Sequence, residues 1–172
     1  MLRIVRVVAF GVLITCSSLV FAKEMAIQNV ENDKFSQAIK INGAMVYVNP
    51  FGGTFRSWFL QSFINKKTKE ITHRLYLEIS YIGEVEFFNA ATDETATTLE
   101  TVNIDTKVGN CSGGCDIKEL VSITIPNEVV NAEPANDYQI KVTAKRGDFL
   151  IITIEKGQIA LQRKAESTQI SE

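Results

Sequence analysis

Ile71-Thr72-His73-Arg74-Leu75-Tyr76-Leu77-Glu78-Ile79-Ser80-Tyr81-Ile82 is the stretch that decides the fold class. Successive side chains of an extended strand point to opposite faces, so a step of two sorts these residues into two rows. Ile71, His73, Leu75, Leu77, Ile79 and Tyr81 make one row; Thr72, Arg74, Tyr76, Glu78 and Ser80 make the other. This is a strand with one wet side. Phe55 to Ile64, just upstream, is equally rich in strand formers, and the polar Asn65-Lys66-Lys67-Thr68-Lys69-Glu70 between them reads as the turn of an antiparallel hairpin.

The same period continues in both directions. Ile39 to Val48 alternates around Gly43, which marks a bulge or a close backbone approach, and Pro50, Gly52 and Gly53 mark a loop. Val85 to Phe88 is a short strand candidate followed by a turn over Ala91–Thr95, and Leu99 to Val108 is a longer one. Val121, Ile123 and Ile125 alternate up to Pro126, which cannot donate to a ladder and ends the strand. Asn127 to Glu133 predicts one helical turn capped by Asn127. Tyr138 to Ala144 and Phe149 to Ile154 form a second hairpin around Arg146-Gly147-Asp148. Residues 158–172 read as a short strand or helix running into a loosely attached polar tail. Seven to eight strands with short connections and no crossover helices predict an all-β, antiparallel β-sandwich, Ig-like or small barrel-like.

The first twenty-two residues read as an address. Met1-Leu2-Arg3-Ile4-Val5-Arg6 carries two cations and no acid, Val7 to Ile14 is apolar apart from Gly11, and Val20 and Ala22 are small. That is the pattern of a secretory signal-peptide helix cleaved after Ala22, and it predicts export to a periplasmic or extracellular space. Two alternatives stand beside it. An uncleaved anchor would need about 20 apolar residues, and Leu13-Ile14-Thr15-Cys16 resembles a lipidation box at Cys16, with Thr15 where a smaller residue is wanted. After cleavage, residues 23–172 form a single domain with no repeat or linker. Losing Arg3 and Arg6 leaves 16 basic against 20 acidic side chains, a net charge of −4. That balance argues against nucleic acid or an anionic membrane surface as partner.

Cleavage also removes Cys16, leaving Cys111 and Cys115, and an even pair in an exported protein reads as a disulfide. Cys111-Ser112-Gly113-Gly114-Cys115 has two glycines that let the backbone curl until the sulfurs meet. Redox chemistry prefers two residues between the thiols, and haem attachment wants a His where Asp116 stands. His73 is the only histidine, which excludes a multi-His zinc site and leaves one imidazole for any general base. No nucleophile elbow, phosphate-binding glycine loop or His-Glu-x-x-His segment occurs in the sequence. Glu84, Glu86, Asp93, Glu94 and Asp105 are acids without the spacing of a glycosidase pair or a calcium loop. No cofactor and no metal is expected.

Aromatic residues concentrate in Phe51, Phe55, Trp58, Phe59 and Phe63, with Tyr76 across the hairpin. Phe55, Phe59 and Phe63 share one face and are assigned to the core, which leaves Trp58 on the other. Trp58 and Tyr76, with His73 near the turn, are therefore the candidate partner or ligand surface. The expectation is a non-enzymatic binding or envelope-assembly module that contacts another envelope protein or a glycan. The alternative is a small secreted hydrolase using dispersed carboxylates, and two acids converging in a concave pocket would favour it. A third reading, a subunit that uses edge strands for pairing, requires a flat unpaired edge.

Overall fold

The computed structural model describes residues 25–48 and 54–171. The expected leader and the Pro50–Gly53 loop lie outside the described residues. The chain forms β1 (Asn29–Glu31), β2 (Ala38–Asn42), β3 (Val46–Val48), β4 (Phe55–Asn65), β5 (Ile71–Gly83), β6 (Phe88–Asp93), β7 (Thr98–Leu99), β8 (Thr101–Val108), β9 (Cys115–Ile125), α1 (Asn127–Asn131), β10 (Tyr138–Ala144), β11 (Phe149–Ile154) and α2 (Lys156–Ser171). A seven-stranded antiparallel sheet runs β1-β2-β4-β5-β9-β8, with β3 also on β4, and a four-stranded sheet runs β11-β10-β6-β7. The two pack face to face as a β-sandwich.

The long hairpin anticipated from the alternation is the centre of the large sheet. Ile64 pairs with Ile71, Leu60 with Leu75 and Trp58 with Leu77, and β9 continues the rows with Ile123 beside Leu75 and Val121 beside Leu77. Trp58, Leu60, Leu75, Leu77, Val121 and Ile123 meet Ile140, Val142, Leu150, Ile152 and Ile154 of the small sheet in one apolar core, while Ile64 and Ile71 belong to a smaller cluster with Ile39 and Ile41. Two predicted strands are each split in two. Gly43 separates β2 from β3 because the backbone there lies against β4: a Cβ on Gly43 would stand 2.7 Å from the Leu60 carbonyl oxygen. At Glu100 the chain leaves the small sheet (β7) for the large one (β8), a corner that two-residue periodicity does not register.

Three expectations are corrected. The strand assigned to Val85–Phe88 runs instead from Phe88 to Asp93, because Asp93 starts the turn: its Oδ1 accepts the Thr95 N–H at 2.9 Å and the Thr97 N–H at 2.8 Å. Asn127 does not cap α1; Pro126 occupies the cap position, and the Asn127 amide reaches β5. The loosely attached tail is instead helix α2, whose Gln158, Ile159, Gln162 and Glu166 are buried. It lies over the inner face of β2 and β4, where the small sheet does not extend. A stripe of Gln and Glu carries no apolar period, so nothing in the residue pattern announced a buried face.

Candidate functional site

The predicted surface residues separate. Trp58 is 7% exposed and His73 1% exposed, both on the inner face, whereas Tyr76 is half-buried on the outer face of the large sheet. The assignment of Phe55, Phe59 and Phe63 to the core is reversed by the same geometry. Closing the turn so that Ile64 meets Ile71 sets Trp58 opposite Leu77 and Ser62 opposite His73. Trp58 therefore shares the covered row, and the Phe set shares the row of Tyr76. The register was the available signal, since a hairpin's pairing fixes which rows of its two strands lie together.

No layer of the described residues covers the outer face of the large sheet over β4 and β5. Phe59 and Tyr76 are directly opposed and stack with centroids 5.4 Å apart and planes 15° apart. Tyr47 of β3 tilts against Phe55 with centroids 6.1 Å apart. A groove of about 450 Å³ opens beside Phe55, bordered by Tyr81, Ile82, Gly109, Asp116 and Ile117, with Lys107 and Lys118 at its rim. Lys118 is paired with Glu78 at 3.0 Å and Lys107 with Asp105 at 3.3 Å. Smaller depressions lie beside Phe59 and Tyr76 and beside Phe63. Each of these three grooves is lined by one carboxylate: Asp116, Glu78 or Glu70.

His73 serves the interior. Its Nε2 lies 2.9 Å from Glu166 Oε1 and its Nδ1 2.8 Å from Asn127 Oδ1. The Asn127 amide in turn donates to the Ile71 carbonyl at 3.0 Å. Ser62 Oγ donates to the same Glu166 oxygen, and Gln162 Nε2 donates to Ser62 Oγ at 2.6 Å and to the Ile41 carbonyl at 3.0 Å. Ser, His and Glu are the residue types of a hydrolytic triad, but here the glutamate stands between the other two. The serine hydroxyl rests on the carboxylate and not on the imidazole, and Ser62, His73 and Glu166 are all buried. The cluster docks α2; it does not present a nucleophile.

A second buried carboxylate, Glu119 of β9, holds the crossing from β5 to β6. Its Oε1 accepts from the Tyr81 hydroxyl and from the Phe87 N–H at 2.9 Å. Its Oε2 accepts from the Phe88 N–H at 2.9 Å and from Asn103 Nδ2 at 2.6 Å. Phe87 sits at φ 60°, an uncommon conformation for a bulky residue, held where Glu119 takes its amide. Burial and the hydrogen bond to Glu119 push the Tyr81 hydroxyl well above its ordinary range. Nearby, burial and then Asp148 raise the Glu86 carboxyl. Hydrogen bonds from Thr95, then from backbone amides and Tyr138, lower Asp93.

Cys111 and Cys115 are joined by a disulfide. It closes the tip of the β8–β9 hairpin, where Gly109 N donates to Asp116 O at 2.7 Å and Asp116 N to Asn110 O at 3.0 Å. Gly113 and Gly114 take φ of 89° and 131°, values that favour glycine. Among the described residues no three His, Cys, Asp or Glu side chains cluster to hold a metal ion, and no helix is long and apolar enough to cross a membrane. Compared with family models, curated proteins and solved structures, the chain matches none of them.

Proposed function

We propose that this chain is an exported, non-enzymatic binding module that grips an envelope glycan or envelope protein on the outer face of its large sheet. The observation that supports this is the uncovered aromatic row, in which the stacked Phe59–Tyr76 pair continues through Tyr47 and Phe55 to a groove of about 450 Å³. Flat rings displayed on a rigid sheet present a large apolar surface at low entropic cost, suited to stacking against sugar rings or partner side chains. The single carboxylate in each groove gives no support to a paired-carboxylate hydrolase. The basic and then apolar leader, ending in small residues, supports export with cleavage after Ala22.

The test is calorimetric titration of the secreted protein with a panel of soluble linear oligosaccharides and extended peptides, after mass spectrometry has checked that its chain begins at Lys23. The wild type should bind, and Phe59→Ala/Tyr76→Ala should lose at least about tenfold in affinity, roughly 1.4 kcal/mol, while keeping its circular dichroism. Equal binding by the double variant would remove the site from this face. Turnover of a glycan, ester or peptide, abolished by replacing one carboxylate, would overturn the non-enzymatic reading.

A further inference from the structure

Every open sheet edge offers a row of backbone groups to another strand, and folded proteins blunt such edges with short strands, bulges or charges. Among the described residues four of this sandwich's five edges are blunted. β1 and β3 have three residues each and β7 two, and β8 carries a register break between Asn103 and Asp105 together with the Asp105–Lys107 ion pair. The fifth edge, β11, is different. Phe149-Leu150-Ile151-Ile152-Thr153-Ile154 has no charge and no proline, and its pairing with β10 runs unbroken from Phe149 to Ile154. Among the described residues no strand pairs with its other side.

The hairpin turn settles which groups that side displays. Ala144 N donates to Asp148 O at 2.8 Å and Gly147 N to Ala144 O at 3.0 Å. Hydrogen-bonded rungs then recur at every second residue, Val142 with Leu150, Ile140 with Ile152 and Tyr138 with Ile154. The N–H and C=O groups of Phe149, Ile151 and Thr153 therefore point away from β10. The side chains of Phe149 and Ile151 are 55% and 49% exposed. Lys141, whose ammonium lies 4.5 Å over the Phe149 ring, belongs to β10 and not to the edge.

We infer that β11 is a strand-addition site whose occupant is β11 of a second copy of this chain. The strand is its own complement. Antiparallel pairing about a two-fold axis at Ile151 sets Ile151 against its copy, and Phe149 against the partner's Thr153 with the partner's Ile151 on the diagonal. On the inner face Leu150 and Ile152, already buried within each copy, line up with the partner's Ile152 and Leu150 in one eight-stranded sheet. No charge stands on either strand to oppose this pairing, whereas a strand of ordinary polar composition would set polar groups against the exposed side chains of Phe149 and Ile151.

Sedimentation velocity over a range of protein concentrations tests this. The wild type should shift reversibly from monomer to dimer. Ile151→Pro removes an outward N–H that the β10 ladder does not use, and Ile151→Lys adds a charge to the edge; each should weaken the dimer at least about tenfold while leaving the thermal melt near wild type. Ile151→Cys should give a covalent dimer on oxidation, because the two-fold brings that residue against itself. A wild type that stays monomeric up to about 1 mM, or a dimer that Ile151→Lys leaves unchanged, would overturn the inference. A folding failure of the proline variant would leave the lysine and cysteine variants to decide. Loss of the dimer with ligand titration intact, or the reverse, tells this edge apart from the aromatic face.

Discussion

The inner face of the large sheet is covered twice over, by two kinds of chemistry. At one end Leu75, Leu77, Val121 and Ile123 meet the aliphatic row of the small sheet. At the other, α2 lays Gln158 on the Ala44 carbonyl, Gln162 on Ser62 and the Ile41 carbonyl, and Glu166 on Ser62 and His73, with a small satellite of Ile39, Ile41 and Ile64 beside them. The aliphatic half draws its stability from area removed from water, which is strong and tolerant of direction. The polar half draws little net stability from its bonds, because each replaces one to water, but an unmade bond there is costly. The first half holds the sandwich together, and the second decides where one helix sits.

Breaking each half separately sharpens this contrast. The largest effect is expected in the aliphatic half: Ile140→Ala, at a fully buried position, should lower unfolding free energy by about 4 kcal/mol in a urea titration. In the polar half, Glu166→Ala strands His73 and Ser62 and should cost about 3 kcal/mol. The triple replacement Ser62→Ala/His73→Leu/Glu166→Leu removes hydroxyl, imidazole and carboxylate together, leaves Gln162 on the Ile41 carbonyl and Asn127 on the Ile71 carbonyl, and should return stability to near wild type. A triple variant as damaged as the single one would show that the cluster contributes net stability and not only placement.

The smallest effect lies at the rim of the aliphatic half, at Glu86. Burial, reinforced by Asp148, raises this carboxyl above its ordinary 4.5, so the folded protein holds its proton more tightly than the unfolded chain does. Stability should therefore fall as pH rises through the window from 4.5 to the raised value, and remain lower above it. Glu86→Gln should melt above wild type at neutral pH, and the difference should disappear well below the ordinary value, as read by calorimetry at the two pH values. A constant difference at both would mean that its titration is not coupled to folding.

Much of this was legible in residue order. The Ile71–Ile82 alternation, the turns at Asn65–Glu70 and Arg146–Asp148, the stop at Pro126 and the glycine hinge between Cys111 and Cys115 are local signals, and each appears in the fold where it was expected. The site was less legible. The β5 alternation put Tyr76 on the wet row and His73 on the apolar row, as the fold has them, so His73 could not serve as surface; the face taken by Trp58 was not legible, because a period of two states that a strand has two faces without stating which one is roofed.

What the sequence by itself determined is the longer strands, the two hairpins and the sulfur clasp, all of which follow from interactions within a few residues of each other. The tertiary structure alone decided which row of β4 is interior, that a Gln and Glu stripe can be a buried helix face, and that β11 ends a sheet unprotected. Those outcomes depend on residues such as Gln162 and Ile41, or Glu166 and His73, that lie about a hundred positions apart and meet only after folding. Burial is a property of the partner as much as of the residue, and the partner is chosen by packing.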